Sequence, residues 1–219
     1  ADDERDAAIT FANEIFIYGL KLTEGLDRVD YPDLLKHVAN IPQARRERVF
    51  DLVQQFNPKD GYFSSTLERT LESINAIPPE DEEGVMSYAL PYVERARRDK
   101  VRHVNWHHVI DAIRKLPLAD REDVLRRADP YFINKEGKFH FEEFTVEAIA
   151  KIPQAERDVV LGFVKTFTAE HGIDVKEVYR VIQKLLQVPQ EWSYQDGINA
   201  FNKYLQEIYT LWDKKEDAT

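Results

Sequence analysis

Three histidines and an aspartate stand close together at His103, His107, His108 and Asp111. His103, His107 and Asp111 are spaced i, i+4, i+8. On one continuous helix that spacing aims three possible zinc ligands the same way. A second candidate is the loop Ile133 to Phe139, followed by Glu142 and Glu143. Read as a calcium loop with Gly137 sixth, it places Asn134 third, Glu136 fifth and Glu143 twelfth. Phe132 then falls at the first position, where a phenyl ring cannot ligate calcium. The parallel loop around Gly61 has Leu67 at its twelfth position. Both loops read better as glycine turns. No nucleophile stands beside a matching base, and no glycine-rich phosphate loop occurs. The chain has no cysteine, which excludes disulfides, thiolate nucleophiles and cysteine metal sites. His107, His108 and Asp111 remain as weak metal candidates, and no cofactor is expected.

The elements that carry these residues are set by a repeat. Prolines stand at Pro42, Pro78, Pro117, Pro153 and Pro189, spaced by 36, 39, 36 and 36 residues. Each follows an aliphatic residue: Ile41, Ile77, Leu116, Ile152 and Val188. Such a period is the signature of stacked supersecondary units. Past four of the prolines, apolar residues recur at offsets 7, 8, 11 and 14. One set is Val49, Phe50, Val53 and Phe56; another is Val160, Leu161, Val164 and Phe167. These offsets form one face of a helix, called helix B here. Its proline is expected in the first turn, where a missing N–H costs nothing. Pro91 and Pro130 are expected to bend or end the second and third B helices.

Before each proline a second stripe marks a helix A. Val38, Ile74, Ile113, Ile149 and Leu185 lie four residues back, and Leu35, Leu71, Ile110, Val146 and Ile182 seven back. Asp30 and Asn105 are N-cap candidates, and Ser65–Glu68 and Asp174–Glu177 have capping-box spacing. Gly61, Gly137 and Gly172 mark the turns from B into the next A. The second unit has no glycine there and carries Arg95 to Lys100 instead.

The N-terminal segment reads as a helix B without its helix A. Glu4-Arg5-Asp6 matches Glu156-Arg157-Asp158, which puts Ala1 at the proline position. This suggests a chain cut from a longer array. Trp192 to Trp212 reads as a longer closing helix. The expected organisation is one elongated domain over 1–219. It has a degenerate N-terminal cap at 1–29, units at 30–65, 66–104, 105–140 and 141–176, and a C-terminal cap at 177–219. The expected fold is all-α: a right-handed α-solenoid of antiparallel helical hairpins with roughly eleven helices. Its handedness is carried over from known two-helix repeats.

With 43% apolar residues, 219 residues suffice for a continuous core. No run reaches membrane-spanning length. The net charge of −10 argues against broad attraction to nucleic acid or anionic membrane. Two basic clusters interrupt it: Arg95, Arg97, Arg98, Lys100 and Arg102, and Arg45, Arg46 and Arg48. They read as solvated surface or as a docking site for an acidic partner. Arg46, Arg121 and Arg157 recur at one repeat position, where the second unit has Glu82. They are expected to pair with helix-A acids such as Asp111 and Glu147.

The phrase Val109-Ile110-Asp111-Ala112-Ile113-Arg114-Lys115-Leu116-Pro117, with Arg121 and Val124, resembles tandem repeats of uncharacterised proteins from host-associated bacteria. That resemblance implies an interaction or effector role. Arg180-Val181-Ile182-Gln183-Lys184-Leu185-Leu186 is similar to the recognition helix of Pumilio-type RNA-binding repeats. That likeness implies base reading by Tyr179, Arg180 and Gln183. Their equivalents are Glu68, Arg69 and Glu72 in one unit and His107, His108 and Asp111 in another, so the pattern does not recur.

The reading is a non-catalytic protein–protein interaction scaffold, monomeric, with a peptide or domain lying along the repeat surface. Candidate contact residues are Trp106, Tyr179, Arg97, Arg98, Lys100 and Arg102, with Tyr62 as a further aromatic. Trp106 has core packing as its competing role. The alternatives are an RNA-binding helical array and a small all-α metal enzyme using His107, His108 and Asp111. A soluble, cysteine-free chain fits the cytoplasm, or delivery into a host cytoplasm.

Overall fold

The structure is a computed structural model. It describes residues 2–22, 31–56, 67–101, 104–134, 136–187, 195–200 and 203. Ten α-helices with defined ranges are placed among them, besides a further helical stretch at 195–200. They are α1 (Asp2–Leu22), α2 (Tyr31–Ala39), α3 (Gln43–Phe56), α4 (Leu67–Asn75) and α5 (Glu82–Arg98). Then come α6 (Trp106–Lys115), α7 (Arg121–Ala128), α8 (Glu143–Ala150), α9 (Arg157–Glu170) and α10 (Val178–Leu185). No β-strand occurs among the described residues, so the all-α expectation holds. Asp30, Gly61, Tyr62, Ser65, Arg102 and His103 lie outside the described residues. So does most of the expected closing helix, of which 195–200 are helical.

The chain divides into two compact units, Ala1–Arg121 with Glu136–Glu143, and Glu122–Lys135 with Phe144–Thr219. In the first, α1, α3 and α5 pack side by side, and so do α2, α4 and α6 in part, with α2 on α4 and α4 on α6. Across these rows α1 meets α2, α3 meets α4 and α5 meets α6. Each B helix therefore packs chiefly on the A helix that follows it. In the second unit α9 packs on α10.

Helical periodicity explains the core. Val49, Val53, Phe56, Val85, Ala89, Val124, Ala128, Val160 and Val164 are all buried, as are Ile74, Ile110, Ile113, Val146, Ile149 and Ile182. In α2 the buried leucine is Leu34 rather than Leu35.

The proline sits one step earlier than expected. Pro78, Pro117 and Pro153 precede a short 3-10 turn with φ near −54° and ψ near 137° (individually φ −56°, −54° and −51°; ψ 137°, 139° and 136°). That backbone is extended, so the ring lies outside the helix. Its carbonyl then accepts the first turn bond. Arg45 N–H donates to Pro42 O at 2.8 Å; Asp81, Asp120 and Glu156 donate to Pro78, Pro117 and Pro153 O at 2.9 Å each. The preceding aliphatic residue closes helix A by donating three residues back: Ile41 to Val38, Ile77 to Ile74, Leu116 to Ile113 and Ile152 to Ile149.

Pro130 falls in a 3-10 turn that ends α7, as expected, whereas α5 runs on through Pro91. Asn105 precedes α6 but its side chain makes no capping bond. Asp174 opens a 3-10 turn in which its carbonyl accepts from Glu177 N–H at 2.8 Å.

Gly137 and Gly172 have φ of 74° and 60°, the left-handed region that glycine enters at least cost. In the unit without a glycine, Lys100 takes that conformation, at φ 53°. Its N–H bonds Arg97 O at 3.1 Å and that of Val101 bonds Ala96 O at 2.9 Å. This pair of bonds is the Schellman ending of a helix.

Candidate functional site

The recurring arginines are buried, with Arg46 at 5%, Arg121 at 2% and Arg157 at 2% exposure. Each is fixed through Nε to a backbone carbonyl at the end of the preceding A helix. The distances are 3.2 Å to Ile41 O, 3.2 Å to Ile113 O and 3.1 Å to Ile152 O. These carbonyls lie in or just past the last turn of a helix, where a cation is favoured, and that of Ile113 also accepts from Leu116 N–H.

Of the expected helix-A carboxylates, Asp111 bonds Arg114 at 2.8 Å. The acids come from the preceding B helix. Arg121 makes a bidentate pair with Asp81, at 2.6 and 2.5 Å. Arg157 Nη1 meets Asp123 at 2.9 Å. Asp81 lies three residues after its proline and Asp123 six residues after its own. Those offsets put the carboxylates within reach of the neighbouring B helix.

Where Glu82 replaces the arginine, the polarity reverses. Arg48 and Arg45 from the preceding B helix reach Glu82 at 2.7 and 3.3 Å. They too stand six and three residues after their proline. The hydrogen bond from Arg121 holds the Asp81 carboxyl below its ordinary range. Burial works to raise Asp123, but bonds from Arg157, Arg127 and Arg126 outweigh it and hold the group low.

Arg46 departs from this pattern. Its Nη1 is buried with no acceptor among the described residues. By position, α1 should supply a carboxylate from Glu4 or residue 7. Glu4 is exposed, and residue 7 is Ala7. Arg46 lines an open groove of about 570 Å³ between α1 and α3.

The histidine cluster sits on α6. His107 is buried, and its ring lies 4.0 Å from that of His108. Burial drives its pKa down to about 4, helped by His108 and Arg69. Its ring is therefore neutral at pH 7. His108 contacts Glu143 and lines a pocket of about 180 Å³ with His140 and Glu142. Among the described residues no group of three or more His, Asp or Glu is placed to hold a metal ion. Phe132, at the first position of the calcium-like loop, is fully buried.

Trp106 is 4% exposed and packs on Phe56, with ring centroids 5.8 Å apart. This corrects its candidacy as an exposed anchor: it is a core residue. The basic cluster is largely engaged within the chain. Arg95 lies over the Phe139 ring, Arg97 bonds Glu94 and Arg98 faces Asp99. Lys100 is exposed at the helix end.

Tyr179 is half-buried on α10, 5.3 Å from the ring of Phe144 on α8. Phe144 is 46% exposed, and Arg180 lies over the Tyr179 ring at 5.7 Å. Tyr179 is legible in the sequence and Phe144 is not, because the apolar periodicity of α8 marks only its core stripe. The exposed ring lies off that stripe.

No protein-family model, curated protein or solved structure matches this chain.

Proposed function

We propose that the protein is a non-catalytic helical scaffold that binds a protein partner. The observation that carries this reading is the Phe144–Tyr179–Arg180 cluster. Tyr and Arg dominate the residues that carry binding energy in protein interfaces, and aromatic rings are enriched there. Two rings from separate helices hold each other in place, so little side-chain freedom remains to be lost on binding. Arg180 is further steadied by its bonds to Tyr179 Oη at 3.0 Å and to Glu177 at 2.9 Å.

The test is selection of random peptides on the purified chain, then rescreening against Phe144→Ser/Tyr179→Ala. The scaffold reading expects selected peptides that lose at least tenfold in affinity, with the thermal midpoint little changed. Peptides that bind both proteins equally would remove the cluster from the account. The same stacked ring and guanidinium also suit an unpaired base. A shift of labelled single-stranded RNA that vanishes in the variant would replace the protein partner by RNA.

A further inference from the structure

We infer that the groove between α1 and α3 is a carboxylate site, occupied by an acidic side chain of a bound peptide that carries cationic neighbours. The inference rests on Arg46. Its two counterparts, Arg121 and Arg157, have the same burial and the same Nε bond to a helix-end carbonyl. Each of those is met by a carboxylate from the preceding B helix, at 2.6 and 2.9 Å. A buried guanidinium without such a partner is costly, because its Nη1 has lost water without gaining an acceptor among the described residues.

At Arg46 the preceding helix offers Ala7 where α7 offers Asp123. The space that the missing carboxylate leaves is open, lined by Arg46 with Ala7, Phe11 and Phe50. Glu14, Glu47 and Asp51 line the same groove and are exposed. This arrangement defines the occupant. A carboxylate belongs at Arg46, apolar atoms beside the two phenylalanines, and Lys or Arg against the three acids. A uniformly acidic peptide is repelled by that rim. The site shares no residue with the aromatic cluster on α8 and α10, so either test can fail without the other.

The experiment has two arms. In the first, the blocked peptide acetyl-Lys-Leu-Asp-Phe-Lys-amide is titrated into the full chain at up to millimolar concentration. The side-chain Nε–Hε signal of Arg46 is followed by NMR, with the Asn-for-Asp peptide as control. The Asp peptide is expected to shift that signal and to bind at least tenfold more tightly than its control. The second arm needs no ligand. Ala7→Asp places a carboxylate at the position of Asp123. It is expected to raise the thermal midpoint by about 3 °C over Ala7→Asn and to abolish the peptide shift. Equal or absent binding of the two peptides overturns the inference. So does an Ala7→Asp midpoint no higher than that of Ala7→Asn. A Glu4→Gln variant that creates peptide binding where the wild type shows none would assign the site to Glu4 and equally overturn it.

Discussion

Removing the carboxylate of Asp81 tests how the B helices are held. Arg121 is 2% exposed and gives Asp81 two hydrogen bonds, at 2.6 and 2.5 Å. Asp81→Ala strands both terminal nitrogens. A hydrogen bond to a charged group contributes about 1.5–3 kcal/mol, and breaking a buried ion pair costs about 3–5 kcal/mol. Asp81 itself is a quarter exposed, so water reaches its side of the pair and the lower end applies, about 3 kcal/mol. Arg121→Met keeps the bulk and removes the stranded charge, so it should cost less, about 1–2 kcal/mol. In that background Asp81→Ala should be nearly silent, leaving a coupling of about 3 kcal/mol. Urea unfolding followed by far-ultraviolet circular dichroism, with unchanged slope, measures all four proteins. An Asp81→Ala cost below about 1 kcal/mol, or the same cost in both backgrounds, refutes the argument. The crowding at Gly84 supports it. A Cβ there would meet Asp81 Oδ1 at 3.1 Å and Arg121 Nη1 at 3.2 Å, so the pair occupies the room that a side chain would need.

Two further predictions concern other elements. The folded pKa of His107 is about 4 against an ordinary 6.5, so between those values the unfolded chain binds more protons. Stability should be complete above pH 6.5 and fall by about 2–3 kcal/mol on acidification to pH 4. His107→Gln should flatten that window when both proteins are titrated; an identical pH profile would contradict it. Lys100 holds a left-handed backbone at φ 53°, which costs a residue with a Cβ about 1 kcal/mol. Lys100→Gly should raise the thermal midpoint by about 3 °C and Lys100→Ala should not; equal midpoints for the two variants would count against the strain.

Much of the fold was legible because it is periodic. Offsets of 7, 8, 11 and 14 from each proline named buried residues such as Val49, Val85, Val124 and Val160 directly. Gly137 and Gly172 announced their turns by chemistry alone. Lys100 did not, because a lysine gives no sign of the backbone it adopts. The arginine position was visible as a recurrence, but its partners were not. Asp81 and Asp123 stand at different offsets, and a carboxylate on a polar helix face looks the same whether it meets water or the next helix. Trp106 and His107 illustrate the other gap. The sequence offered Trp106 as a contact residue or a core residue and His107 as a weak metal candidate, and packing of α6 against α4 and α5 puts both inside.

The reversed polarity at Glu82 bears on how such a chain can be rearranged in its gene. An in-frame loss of residues 79–117 would join Pro78 to Leu118 and keep every helix in register. It would also bring Arg121 to the place of Glu82, opposite Arg45 and Arg48, while discarding Asp81. Three cations would then share one partly enclosed contact, a like-charge cluster that the compact state disfavours. The segment following α3 is thus keyed to its position, and the chain cannot shorten there by recombination alone without a second change of charge.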